Sequence, residues 1–366
     1  MKIRVYGPVI GNGSFAVVTR GIVGALKELG LFAGLYPIDT DPDDFADSVG
    51  FDADVGVLIG PPHRSALLLS AGDHKHRLLM LVPNSTWLPR EAVALAMDNV
   101  TGFVTPSEWA RGQIDHHLAT QHTKKVPVYL WPHGVDAAFK PDSAQHDGLA
   151  RRFQTGDFHV VHFTSTSFQR KGTCELIDAW KLLFDSLMWS GDSATLTVVS
   201  DTPHVYTAGI VPGINVVSRG NHHAAHMATI LQSFHAVVQP SRGEGFGLVP
   251  LEARACGIPS IVTWNTGHKQ HVPDVRWSLD VGVVPVGDCG VHLPLGPIDD
   301  GPGAMAPMVT KEDIAASLFA ARINWIRLAR DAFSNAPVVG RVWSWASQTR
   351  TFVDAFYQHV YDQRGA

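Results

Sequence analysis

The stretch His235-Ala236-Val237-Val238-Gln239-Pro240-Ser241-Arg242-Gly243-Glu244-Gly245-Phe246-Gly247-Leu248-Val249-Pro250-Leu251-Glu252-Ala253-Arg254-Ala255-Cys256-Gly257-Ile258-Pro259 decides the fold. Its first five residues are an apolar run that reads as a buried strand, stopped by Pro240, which has no N–H to give a ladder. A glycine-rich turn follows, then a helix from about Leu248 that ends at Gly257. Glycine lets backbone approach a ligand closely, and a helix start presents unpaired N–H groups and a positive dipole end. Glu244 in the turn and Glu252 inside the helix stand eight positions apart. A carboxylate on each side of an anion site suits a molecule with a phosphate centre and hydroxyl groups at both ends. A nucleotide sugar has that form. Strand–turn–helix units recur throughout α/β proteins, so this unit by itself speaks more firmly for the architecture than for the ligand.

Working outward, strands alternate with amphipathic helical segments along the chain, the pattern of parallel sheets with crossover helices. The first half places strands at Ile3–Tyr6, Leu31–Tyr36, Val55–Ile59, Leu78–Val82, Gly102–Val104 and Val126–Leu130. The second half places them at His159–Thr164, Thr195–Val199, Asn215–Ser218, Ala236–Gln239, Pro259–Val262 and Val281–Val286. Each set can build a doubly wound sheet. Helices are expected over Val17–Leu29 and Thr173–Phe184, and an aromatic-anchored one from Val342 to Tyr361. The polar, turn-rich run Phe139–Gly148 reads as the linker, and Gly287–Met308, rich in Gly, Pro and Asp, as a long loop.

The chain has 366 residues, enough for two ordinary α/β domains. A hydrophobic content of 45%, a charged content of 17% and a net charge of −5 describe a well-packed protein with no global basic field for nucleic acid or anionic lipid. No apolar run is long enough to span a bilayer, and the residues from Met1 read as a first strand, not a signal peptide. Cys174, Cys256 and Cys289 form neither a disulfide framework nor a metal spacing, which places the expectation in the reducing cytoplasm. Nineteen histidines raise the question of a metal, and His222 and His226 have the i, i+4 helical spacing. Metal sites need three or four converging ligands, and no His-Glu-x-x-His or Cys-x-x-Cys occurs, so no metal is expected.

The string from Gly243 to Pro259, with its two glutamates and closing Ala-Cys-Gly-Ile-Pro, resembles the signature of retaining GT-B glycosyltransferases, most closely the family-4 type (glycosyl transferases group 1). Two further segments carry the resemblance. Trp131-Pro132-His133-Gly134-Val135-Asp136 through Pro141 is similar to the motif that ends the family's first domain, and Phe163-Thr164-Ser165-Thr166-Ser167-Phe168-Gln169-Arg170-Lys171-Gly172 to its Lys-Gly loop. Thr105-Pro106-Ser107-Glu108-Trp109 also matches, with Ser107 expected to cap a helix.

The resemblance implies two Rossmann-like doubly wound domains facing across a cleft, with the last helix crossing back to the first. An acceptor-side domain covers 1–141 plus about 345–366, and a nucleotide-sugar domain covers 142–344. It implies a metal-independent, cofactor-free transferase moving a sugar from a UDP- or GDP-linked donor to a hydroxyl acceptor. That acceptor is left open among lipid, glycan, protein, small molecule and modified nucleic acid, and peripheral membrane contact stays open with it. A nucleotide-sugar epimerase of the same fold, or a non-catalytic nucleotide-sugar-binding relative, is the alternative.

Residue roles follow from the same resemblance. Backbone amides of Gly245, Phe246, Gly247 and Leu248 hold the distal phosphate, Glu252 accepts from ribose hydroxyls, and Glu244 bonds the donor sugar. Lys171 neutralises the diphosphate. The family's earlier loop arginine is missing, Ser165 and Thr166 standing there; Thr166 is expected among the donor-binding residues, and Arg170 supplies the second charge or is simply a solvated surface arginine. Gly11 and Gly13, in the glycine-rich loop that runs from Gly7 to Ser14 and Phe15, become points of close backbone approach to the donor. Asn84 stands where many relatives have a histidine facing the donor sugar; it can hydrogen-bond but cannot exchange a proton near neutral pH. His63, Ser14 and His133 are acceptor-side candidates, His133 standing where Asn is common. Trp264-Asn265-Thr266-Gly267-His268 resembles the family's Thr-Gly-Gly turn, with His268 replacing the second glycine.

Overall fold

The computed structural model describes residues 1–11, 13–39, 53–60, 73–86, 88–122, 125–164, 167–186, 188–189, 193–200, 211–218, 220, 223–273, 282–286, 295–297 and 304–362. The chain divides into two compact units. One comprises Met1–Pro83, Leu88–Gly134 and Val342–Ala366; the other comprises Asn84–Trp87 and Val135–Arg341.

The first unit opens with β1 (Ile3–Gly7), α1 (Ser14–Glu28), β2 (Phe32–Pro37) and β3 (Val55–Ile59). It continues through β4 (His76–Met80), α2 (Arg90–Asn99), β5 (Gly102–Thr105), α3 (Glu108–Gln121) and β6 (Val128–Leu130). Its six strands lie in the order β2-β1-β3-β4-β5-β6, every pair parallel. All five residues of β3 are buried, as expected of a central parallel strand covered on both faces. Ser107 caps α3 as expected, its Oγ accepting from Ala110 N at 3.2 Å.

The second unit runs α4 (Ser143–Gln154), β7 (Phe158–Phe163), α5 (Phe168–Lys171), α6 (Thr173–Asp185), β8 (Ala194–Ser200) and β9 (Ile214–Ser218). Then come α7 (Ala224–Leu231), β10 (Ala236–Gln239), α8 (Leu248–Ala255), β11 (Ser260–Thr263), a 3-10 turn (Thr266–Gln270) and β12 (Val283–Val286). A short antiparallel pair, β13 (Leu295–Pro297) and β14 (Met305–Pro307), precedes α9 (Lys311–Ile323) and α10 (Trp325–Val342). Its main sheet has the order β12-β11-β10-β7-β8-β9, again parallel. The strand order reverses between β7 and β10, so the loops leaving the carboxyl ends of those two strands flank the topological switch point.

The last helix, α11 (Trp345–Asp362), belongs to the first unit. It is held there by aromatic packing: Phe352 stacks on Trp131 with centroids 3.9 Å apart, and Trp131 Nε1 donates to Thr349 Oγ1 at 3.3 Å. Trp345 packs against Gly21 of α1 and Gly134, where no larger residue would fit.

Three readings need correction. The expected linker 139–148 is only partly a connection, because Asp142 Oδ1 accepts from Ala144 N and Gln145 N and starts α4. The helix expected from Val342 is two helices; Val342 ends α10 and α11 begins at Trp345. Within the expected loop 287–308, the described part forms the β13–β14 pair. An isolated three-residue strand leaves too short an alternation to be read from sequence.

Candidate active site

The chemistry collects at the switch point of the second unit. β7 leads through Thr164 into α5, which carries Arg170 and Lys171, while β10 leads into the loop that carries Glu244. Between α5 and α6, Gly172 has φ +66°, and a Cβ there would fall 2.3 Å from Pro240 O. Only glycine allows that turn so close to the neighbouring loop. The turn aims both cations at one carboxylate. Lys171 Nζ donates to Glu244 Oε1 at 2.6 Å, and Arg170 Nη1 lies 3.4 Å from Glu244 Oε2 while donating to Gly243 O at 2.8 Å. Arg170 is 9% exposed, which overturns the solvated-surface alternative. Burial would raise the Glu244 carboxyl, but Lys171, then Arg170 and His268, hold it well below the usual carboxylate range. Two cations against one carboxylate leave a net positive charge here.

The loop is clamped on its far side. Glu244 N donates to Thr266 Oγ1 at 2.9 Å, and Gly267 N donates to Glu244 O at 2.7 Å. Thr266 adopts φ +44°, the one positive value among the described non-glycine residues, so backbone strain sits at this clamp. Gly247, φ +88°, turns the chain into α8. Asn84 groups with this unit because its Oδ1 accepts from Gly245 N at 3.0 Å, and Thr86 N donates to Met305 O of β14 at 3.2 Å. The Asn84 NH2 is then the part of the amide left for a ligand. Glu252 is buried on α8. Arg242, not singled out from sequence, donates through Nε to Pro307 O and ties the loop to β14.

Several buried histidines surround this site. His162, beneath Lys171, donates from Nδ1 to Val238 O, and burial lowers it to about 4. His268 donates from Nδ1 to Thr263 O at 3.0 Å, and its ring edge lies against Gly247. His271 donates from Nε2 to Phe246 O at 3.0 Å. Sequence reading named His268 only as a departure from the family turn and passed over His162 and His271. Nothing local distinguishes a buried histidine from an exposed one. Cys256 is also buried, its thiol pushed up to about 12 by burial and by Glu252, and so is unreactive near neutrality.

In the first unit, the glycine loop after β1 satisfies itself. Val9 N and Ile10 N donate to the Asp39 carboxylate at 2.7–2.9 Å, and Arg20 Nη1 donates to Val9 O and Gly11 O. An internal carboxylate thus fills the amides that a phosphate cradle would use; Asp39 lies too far along the chain for the motif to reveal it. Gly11 and Gly13 have open space where a side chain would be. Ser14 is the exposed first residue of α1, which starts a turn earlier than expected. His133 is buried against Trp345 and lowered to about 3 by burial, so it is neutral and cannot serve as a proton donor near neutral pH. Asp136 plays the local role expected of it, accepting from Ala138 N at 2.8 Å. His63 and Thr166, with Ser165, lie outside the described residues, as does His222. His223 caps α7, and among the described residues no three His, Cys, Asp or Glu side chains come together as a metal site.

The architecture is that of solved GT-B glycosyltransferases. The structure is similar over 99% of this chain to all of a sucrose-phosphate synthase from Thermosynechococcus elongatus, at TM-score 0.64 and 13% identity. It is similar over 98% of the chain to all of Anabaena HepE in complex with UDP and glucose, at TM-score 0.64 and 13% identity. Residues 158–288, which include Arg170, Lys171, Glu244, Glu252 and His268, match the family Glycosyl transferases group 1.

Among curated proteins, the D-inositol 3-phosphate glycosyltransferase of Jonesia denitrificans is 31% identical over 195 residues, covering 47% of this chain and 45% of that protein. The GDP-mannose-dependent alpha-(1-6)-phosphatidylinositol monomannoside mannosyltransferase of Mycobacterium tuberculosis is 27% identical over 214 residues, 53% of this chain and 50% of that protein. The chain thus spans about half the length of the curated relatives it matches. Among the described residues no helix is long and apolar enough to cross a membrane.

Proposed function

We propose that this protein is a glycosyltransferase that moves a sugar from a nucleoside-diphosphate donor to an acceptor hydroxyl with retention of anomeric configuration. The observation that carries the reading is the Lys171–Glu244–Arg170 cluster beside the start of α8, inside the family match. Its surplus positive charge faces the place where a diphosphate would gain charge as the sugar C1–O bond breaks. The acceptor oxygen forms the new bond to C1, and its proton passes to the departing phosphate oxygen, so no protein base is required. Glu244 is held ionised and can accept hydrogen bonds from donor-sugar hydroxyls, while Glu252 takes the ribose hydroxyls. With Lys171 and Arg170 supplying charge, the reaction needs neither metal nor cofactor.

HepE was solved with UDP and with UDP-glucose, and one relative is named for GDP-mannose. Both nucleotides are therefore the donors to try first. The names of the relatives pair them with inositol-bearing acceptors, which makes an inositol-ring hydroxyl the first acceptor to test. The test is donor turnover by purified Lys171→Ala and Glu244→Gln variants. Each should lose at least ~100-fold in kcat, the usual scale for removing one electrostatic stabiliser. Turnover near wild type in either folded variant would sink the site assignment. Turnover should also be unchanged by EDTA; a loss restored by added metal ion would refute the metal-free mechanism.

A further inference from the structure

His268 belongs to the 3-10 turn Thr266–Gln270 and is 1% exposed. Its Nδ1 faces Thr263 O, which can only accept, so Nδ1 carries a hydrogen and Nε2 of the neutral ring is a lone pair. Among the described residues no group donates to Nε2, and that atom is not sealed in the interior, so its lone pair is left to a ligand. The Cδ2–Nε2 edge lies over Gly247: a Cβ built there would fall 2.3 Å from Cδ2 and 2.6 Å from Nε2. Gly247 is the N-cap of α8, where the first backbone amides emerge unpaired. An open ring nitrogen and a helix start therefore converge on one spot, beside the Lys171–Glu244 pair.

Resting on the donor reading above, we propose that His268 is a direct ligand of the donor diphosphate and binds it as an imidazolium, so that each donor bound brings one proton with it. In that form Nδ1–H still donates to Thr263 O, and Nε2–H donates to a phosphate oxygen. In the free protein the balance favours the neutral ring, burial being the largest influence. Glu244 and the hydrogen bond to Thr263 favour the proton, while burial and Lys171 oppose it, and His271 on the same turn is itself held neutral. Phosphate oxygens add negative charge on the Nε2 side and tip that balance towards protonation. By linkage, affinity is greatest below the pKa of His268 in the free protein, falls as pH rises from that pKa towards the higher one in the complex, and levels off above it.

The experiment is titration calorimetry of the full chain with UDP-glucose, UDP-N-acetylglucosamine and GDP-mannose, in paired buffers of different ionisation heat, between pH 6.5 and 8. Neither the diphosphate oxygens of these donors nor the N–H groups of their bases titrate in that range, so any proton exchanged belongs to the protein. Wild type should take up close to one proton per donor, with Kd rising by up to about tenfold per pH unit. His268→Gln and His268→Gly, the latter restoring the family glycine, should bind without proton uptake and with a flat pH profile. Donor binding without uptake in wild type, or the same uptake in a folded variant, overturns the proposal by itself. Binding of none of the three donors overturns the glycosyltransferase reading and this inference with it. If neither variant folds, the wild-type proton count decides.

Discussion

At Glu244 one carboxylate meets Lys171 and Arg170 together, and its own amide and carbonyl are held by Thr266 and Gly267. Its backbone groups and its charge are therefore fixed before any ligand arrives, while the carboxylate keeps lone pairs for hydroxyl donors. Thr266 is the most exposed to test, because its hydroxyl takes a buried N–H while its backbone is strained. Thr266→Ala should destabilise by about 1–3 kcal/mol, the cost of orphaning a buried donor. Thermal melting checks this, and an unchanged Tm would mean the clamp is not needed. Glu244 and Glu252 stood out in sequence through the glycine-rich turn they flank, and Lys171 through the resemblance of its loop to the family's Lys-Gly pair. Arg170 did not: an arginine adjacent to Lys171 reads equally as surface charge, and only the turn at Gly172 brings it to the same carboxylate.

Among elements, the entry to α8 and the turn that follows β11 act as one unit. Gly247→Ala should fail chiefly because His268 occupies the space, with the positive φ as a second cost. Combining it with His268→Gly removes the steric part. The double mutant should therefore be less destabilised than the sum of the two singles by about 1 kcal/mol or more, the coupling typical of residues in contact. Additive effects in the melting curves would contradict the packing described. In the first unit, α11 is anchored by Phe352 on Trp131, both fully buried. Phe352→Ala should cost about 3–5 kcal/mol, measurable by denaturant unfolding; less than about 1 kcal/mol would mean that α11 is dispensable. Strand positions were readable to within two residues, because burial on both faces of a parallel sheet demands continuous apolar runs. The Phe139–Gly148 reading went astray because Asp142 is as good a helix cap as a turn residue, and the chain locally permits both.

For the molecule as a whole, the buried histidines set the response to acid. Burial holds His133 at about 3 and His162 and His235 at about 4, and lowers His268 and His271 as well. In the unfolded chain these rings titrate near about 6.5. Below that pH the unfolded state takes up protons that the folded state refuses, so their stabilising contribution is complete above about 6.5 and is lost as pH falls towards 4. The depressed Glu244 adds a loss in the same direction at lower pH. Tm should be steady from pH 7 to 8 and decline steadily from 6.5 to 4; a flat Tm down to 4.5 would contradict neutral burial of these rings. By itself the sequence determined two parallel doubly wound sheets and the glycine-rich turn before α8, and it singled out the two glutamates and the lysine of the candidate site. These are local signals: hydrophobic period, glycine placement and spacing along one loop. Tertiary structure alone decided that Arg170 turns inward, that Asp39 fills the amides of the first glycine loop, that Asn84 joins the second unit, and that His268 opens onto α8. Each depends on residues well separated in the chain meeting in space, and no period or spacing along the chain encodes a distance between them.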